Sequence, residues 1–153
     1  MAKIYVAGPM FNQAELPFNK ILADHLETLG HTVFLPQHSG FRMRKLLKTM
    51  TPAEISRLTF TTDFDNIRAN DVFLYVLDGY DPDEGATVAL GLAYANGKSC
   101  YGFKTDIRTA TAGCNNAMID GSIRHIFGSF KELDTFSFYF FFVFSCQKVL
   151  NMW

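Results

Sequence analysis

Residues 72–77 read Val-Phe-Leu-Tyr-Val-Leu, an apolar run of strand length with no polar residue in it. A strand of that kind is buried on both faces, which restricts the fold to a parallel sheet with helices packed on either side. The residues that follow narrow it further. An acidic loop reaches Asp83-Glu84-Gly85, and small and apolar residues then continue to Ala95, where Asn96-Gly97 supplies a helix stop. The expected unit is a strand, an acidic loop and a glycine-led helix whose N-terminus faces that loop. Ligands of open α/β sheets sit in the crevice beyond the carboxyl ends of the strands. A small-molecule site is therefore expected here.

The same alternation runs through the rest of the chain. Residues 2–7 read as a short buried strand ending at Gly8-Pro9. Pro17 suits the first turn of a helix, with Phe18, Ile21, Leu22, His25, Leu26 and Leu29 as its inner face and Gly30 closing it. A second strand is expected at 31–35, a loop at 37–40 and a basic helix at 41–50. Thr51-Pro52-Ala53-Glu54 is a capping box with proline at the first helical position, launching a helix over 52–69. Strand three covers 71–77, entered at Asp71; a helix at 85–96 and a strand at 99–103 follow. A polar loop over 104–116, a helical turn at 116–119, a fifth strand near 124–127 and a helix opened by Ser129 complete one domain, residues 1–135. This pattern predicts a parallel α/β sheet covered on both faces.

Residues 136–153 form an atypical apolar tail, with Phe-Ser-Phe-Tyr-Phe-Phe-Phe-Val-Phe at 136–144. That run falls short of the roughly 20 apolar residues that cross a membrane. It reads either as an element packed on a partner subunit or as sequence foreign to the fold, as a frameshift would leave.

Charge and composition remove several classes of function. Lys and Arg number 14 against 15 Asp and Glu, with no basic block, so a nucleic-acid polymer is not the expected partner, though a single nucleoside is compatible. Cys100, Cys114 and Cys146 have no metal or redox spacing and are read as thiols of a reducing cytosol. Gly8-Pro9 interrupts the opening apolar residues too early for a signal peptide, so a cytoplasmic location is expected. His31 and His38 lack ligand spacing, and no metal or cofactor is expected.

Four side chains converge on the predicted crevice: Tyr5 near the end of strand one, Phe11 in the loop beyond, Asp63 in the helix before strand three, and Asp83 in the loop after it. Singly each has a plain structural reading, since a strand tyrosine is usually core and an Asp before a helix usually a cap. Together they are more specific. Lys3-Ile4-Tyr5-Val6-Ala7-Gly8-Pro9-Met10-Phe11, Asp63 followed by Asp71, Asp83-Glu84-Gly85 leading to Gly91-Leu92-Ala93-Tyr94-Ala95, and Asn116 with Met118 resemble the nucleoside 2-deoxyribosyltransferase family in order and spacing, over about residues 3–132.

The resemblance implies a flavodoxin-like, doubly wound, five-stranded parallel sheet with helices on both faces. It also implies exchange of the base on a 2′-deoxyribonucleoside by double displacement through a covalent deoxyribosyl-enzyme, the logic of a retaining glycosidase. By position, Tyr5 matches the tyrosine that orients the nucleophile, Asp63 the acid that protonates the leaving base, and Asp83 an aspartate near the sugar hydroxyls. Phe11 would stack on the base, with Gly8, Met10 and Gly85 also bordering the substrate. Asn116 and Met118 match residues that reach the sugar 5′-hydroxyl in a neighbouring subunit's site, which implies a homo-oligomer. The partners so implied are a 2′-deoxyribonucleoside, a free nucleobase and further copies of this chain.

One position departs from the pattern. The family places its nucleophilic glutamate four residues after Gly85, and here Ala89 stands there. Glu84 is read as preceding the helix and projecting elsewhere, so it is not expected to substitute. Two readings follow: an inactivated variant that binds substrate without turnover, favoured by the intact remainder, or a natural homologue that binds nucleosides without the covalent step. A 2′-deoxynucleoside 5′-monophosphate N-glycosidase is the enzymatic alternative, although that branch carries serine where Asn116 stands. A non-catalytic nucleoside-binding module is the other. A phosphoacceptor receiver domain is set aside because Gly8-Pro9 replaces the acids needed after strand one, and a dinucleotide fold because no G-x-G-x-x-G follows it.

Overall fold

Strand β3 (Val72–Val76) is the centre of the molecule, and all five of its residues are buried. A computed structural model describes residues 1–38, 45–108 and 114–138. Around β3 lie β1 (Lys3–Ala7), α1 (Glu15–Thr28), β2 (Thr32–Phe34), α2 (Pro52–Ala69), α3 (Glu84–Ala95), β4 (Ser99–Phe103), α4 (Ala117–Ser122), β5 (Ile126–Phe127) and α5 (Phe130–Thr135). The strands form one sheet in the order β2-β1-β3-β4-β5, and every pairing is parallel. This is the flavodoxin-like, doubly wound α/β sheet that the sequence predicts.

Alternate residues of each strand feed two separate cores. Ile4, Val6, Val72, Leu74 and Val76 pack with Leu22 and Leu26 of α1 and Leu133 of α5. Tyr5, Ala7, Phe73 and Tyr75 face the other way, against Ile67 of α2, Leu90 and Ala93 of α3 and Ile119 of α4. Both sides of β3 are thus removed from water, which is why its sequence does not alternate.

Several boundaries and faces differ from the sequence reading. Helix α1 begins at Glu15 and buries Asn19, Leu22, Ala23 and Leu26, leaving Ile21 and Leu29 exposed. The inner stripe runs along the i, i+3, i+4, i+7 positions from Asn19, and its polar first member concealed it among the apolar residues around it. Strand β5 spans two residues rather than four. Of the expected basic helix at 41–50, residues 41–44 lie outside the described residues, and 45–46 make a helical turn that ends at 47–49. Parts of the 37–40 and 104–116 loops, Cys146, and the tail from 139 onward also lie outside them. Phe136 and Phe138 are described, and they pack on this chain's own first core with Tyr101 and Phe127. The capping box at Thr51 forms as expected: Thr51 Oγ1 accepts from the Glu54 N–H at 3.3 Å, and Glu54 Oε2 accepts from the Thr51 N–H at 2.8 Å.

Candidate active site

The chain leaves β1 for β2 on one side of the sheet and returns to β3 on the other. The loops after β1 and β3 therefore part, and the space between them is the switch-point crevice where doubly wound sheets bind ligands. Gly8 opens it. A Cβ there would lie 2.8 Å from Val76 Cβ, so only glycine lets the two strand ends pass this closely. The resulting cleft has a volume of about 620 Å³ and is lined by Tyr5, Gly8, Met10, Phe11, Asp63, Asp83, Gly85 and Ala89, among others.

Each polar wall residue is held by its own element. Tyr5 is 3% exposed, its ring stacked between Phe34 at 5.2 Å and Phe73 at 5.4 Å. Its hydroxyl is electrostatically coupled to the Asp63 carboxyl, which α2 brings over the sheet. Burial, and then the Asp63 charge, push the Tyr5 phenol far above its ordinary range, so it keeps its proton and can donate. Burial also raises Asp63 above the ordinary carboxylate range, and the nearby Tyr5 hydroxyl partly offsets this. Asp63 is thereby tuned toward holding a proton, as a general acid requires.

Asp83 caps α3, its Oδ1 accepting the Ala86 N–H at 2.6 Å. Its carbonyl is fixed from behind by the Tyr75 hydroxyl at 2.8 Å and by Thr87 Oγ1 at 2.8 Å. Tyr75 is fully buried there, and burial pushes its phenol up to about 12. The cap makes Glu84, not Gly85, the first helical residue. Contrary to the sequence reading, Glu84 does not precede the helix and lines this cleft. Ala89 lies further along α3, half-buried, and presents only a methyl group to the cleft.

The loop bearing Met10 and Phe11 is latched at both ends. Buried Asn19 donates to the Pro9 carbonyl at 2.8 Å and to Gln37 Oε1 at 3.3 Å. Glu15 Oε2 accepts the Phe11 N–H at 2.7 Å. Ser56, Thr59, Phe60, Phe64 and Ile67 of α2 also line the cleft. Their helical spacing around Asp63 was the available signal, but the sequence reading did not use it.

Asn116 and Met118 do not enter this cleft. They line a second cavity of about 820 Å³, with Lys104, Thr87 and Glu84. Asn116 caps α4 by accepting the Met118 N–H at 2.9 Å, and Met118 is 79% exposed. Lys104 Nζ donates to Asn115 Oδ1 at 2.5 Å on the same wall. Among the described residues no group of three or more His, Cys, Asp or Glu side chains could hold a metal ion, and no helix is long and apolar enough to cross a membrane.

Fold and cleft together define a doubly wound α/β protein with an acidic, tyrosine-bearing cleft at its switch point. More particularly, the chain belongs to the nucleoside 2-deoxyribosyltransferase family, whose model matches residues 4–133. That is a family of pentosyl-transferring enzymes acting on nucleosides and nucleobases. The 2-deoxyribosyltransferase of the psychrotolerant bacterium Bacillus psychrosaccharolyticus, characterised for nucleoside synthesis, is similar at 28% identity and a TM-score of 0.73, over 90% of this chain and 93% of that one. The Leishmania mexicana 2-deoxyribosyltransferase shares the fold at 23% identity and a TM-score of 0.58, over 86% and 93% of the two chains. So does a CMP N-glycosidase of Clostridium botulinum, at 20% identity and 0.55, with the same coverage. No curated protein matches the sequence.

Proposed function

We propose that the cleft binds a 2′-deoxyribonucleoside or a free nucleobase in the manner of a deoxyribosyltransferase, and that the missing carboxylate at position 89 removes base exchange. The observation that carries this reading is the Tyr5–Asp63 pair sharing one cleft with Ala89. The base lies against Phe11 and the Phe60–Phe64 pair, whose rings stack at 6.0 Å. Asp63 gives its proton to the departing base nitrogen, and Asp83 meets the sugar hydroxyls. In double displacement a carboxylate would then attack the anomeric carbon and later yield the sugar to a second base. The Ala89 methyl cannot attack, and Tyr5 is left pairing with Asp63 alone.

Asn116 and Met118, facing away in the second cavity, serve the site of a neighbouring copy. The working protein is then a homo-oligomer, placed in cytoplasmic nucleoside salvage. A 5′-monophosphate substrate is the second reading. It is favoured by Lys104, whose ammonium shares the cavity of Asn116 and has no carboxylate within ion-pair distance among the described residues.

Ala89→Glu should create base exchange between a deoxynucleoside and a free base, at least about a hundredfold above the unsubstituted chain. Running each substrate with and without a 5′-phosphate separates the two readings. Equal exchange by both proteins would place the nucleophile elsewhere.

A further inference from the structure

We propose that the unsubstituted chain is a hydrolase working by single displacement, in which a water molecule beside Ala89 attacks the anomeric carbon and Asp83 is its base. The inference rests on the nucleoside reading above.

Three observations carry it. Ala89 ends at its methyl group on the cleft wall, so the space a longer acidic side chain would fill is open. Asp83 uses Oδ1 to cap α3 at 2.6 Å, while its Oδ2 makes no hydrogen bond among the described residues, and the carboxylate lines the same cleft. Asp63 reaches the cleft from a different element, α2, and lines it together with Tyr5. One carboxyl that gives a proton, a second that takes one, and room between them for water are the parts of an inverting glycosidase. A retaining site needs its nucleophile against the sugar, and the helix position that would supply it is a methyl group. Asp83 at the N-cap of α3 and Ala89 in its second turn line the same cleft, which is open to water.

The step balances. The water oxygen bonds to the anomeric carbon as the carbon–nitrogen bond breaks, and a water proton passes to Asp83 Oδ2. The electron pair of the broken bond goes to the base nitrogen, which takes the Asp63 proton. Solvent then returns a proton to Asp63 and removes one from Asp83. The products are the free base and 2-deoxyribose of inverted configuration.

Free 2-deoxyribose loses its configuration by ring opening, so the test uses aqueous methanol, where the methyl glycoside preserves it. Thymidine and 2′-deoxyadenosine are incubated with the unsubstituted chain, the products are read by NMR, and nucleoside binding is measured by calorimetry. The expected product from these β-nucleosides is the methyl α-glycoside. Asp83→Asn should slow base release about a hundredfold or more with an unchanged melting temperature, because asparagine caps a helix as well as aspartate. A β-glycoside would overturn the proposal in favour of a covalent intermediate. Loss of activity in Glu84→Gln but not in Asp83→Asn would overturn the role of Asp83. Binding without base release would overturn the hydrolysis and leave the nucleoside reading standing. Absence of binding would overturn both.

Discussion

Tyr5 and Asp63 shift each other's titration. Burial pushes the Asp63 carboxyl above the ordinary carboxylate range, and the Tyr5 hydroxyl, by favouring the carboxylate, partly offsets this. Tyr5→Phe removes the hydroxyl that favours the charged form, so Asp63 should titrate at still higher pH, readable from its carboxyl carbon by NMR. The linkage to stability has a definite sign. An acid raised in the folded state leaves stability intact below its unfolded value and takes it away as pH rises through the folded one. Asp63→Asn, which keeps an acceptor for Tyr5, should therefore melt higher than the parent at neutral pH, with the gap closing in acid. Both residues were legible from the sequence through the family resemblance. Their coupling was not, because nothing local records that α2 folds back over β1. Glu84 was misplaced for a local reason: its neighbour Gly85 suggested a helix start that the Asp83 cap sets one residue earlier.

At the scale of elements, the strands were legible wherever both faces are covered, because burial wrote itself as unbroken apolar runs. β3 and β4 lie within a residue of their expected bounds. Short, edge-lying β5 was overdrawn, since Arg124 and His125 already bond to β4, Arg124 N–H donating to the Cys100 carbonyl and the His125 carbonyl accepting from Gly102 N–H, although the strand itself is Ile126–Phe127. On α1 a buried asparagine occupies an inner position, and polar residues inside are invisible to hydrophobic periodicity. That asparagine latches the loop carrying Met10 and Phe11. The opposite constraint sits at Gly8, where the cleft begins. Gly8→Ala drives a methyl group to 2.8 Å from Val76 Cβ, and both atoms belong to rigid strand ends. A loss of about 1–3 kcal/mol, the usual cost of overpacking, is expected in denaturant titration, together with weaker nucleoside binding as the strand ends separate.

Across the whole molecule, the two cores divide structure from chemistry. The first is sealed by α1, α5 and the start of the apolar tail; the second carries Tyr5 and borders the cleft. Phe138 is 8% exposed and meets Tyr101, Phe127, Phe136 and His31 edge-on. The folded unit therefore runs past the domain end at 135 that the sequence suggested, and Phe138→Ala should cost about 3–5 kcal/mol in the same titration. Asn116 and Met118 show where single-chain reasoning stops, because their expected role requires a second copy of the chain. The proposed deoxyribosyl site lacks its attacking carboxylate at position 89. Intact-mass measurement after mixing with a deoxynucleoside reads this directly. A deoxyribosyl adduct is expected on Ala89→Glu, mapped to the peptide containing position 89, and none on the unsubstituted chain. An adduct on the unsubstituted chain would place the nucleophile at another residue.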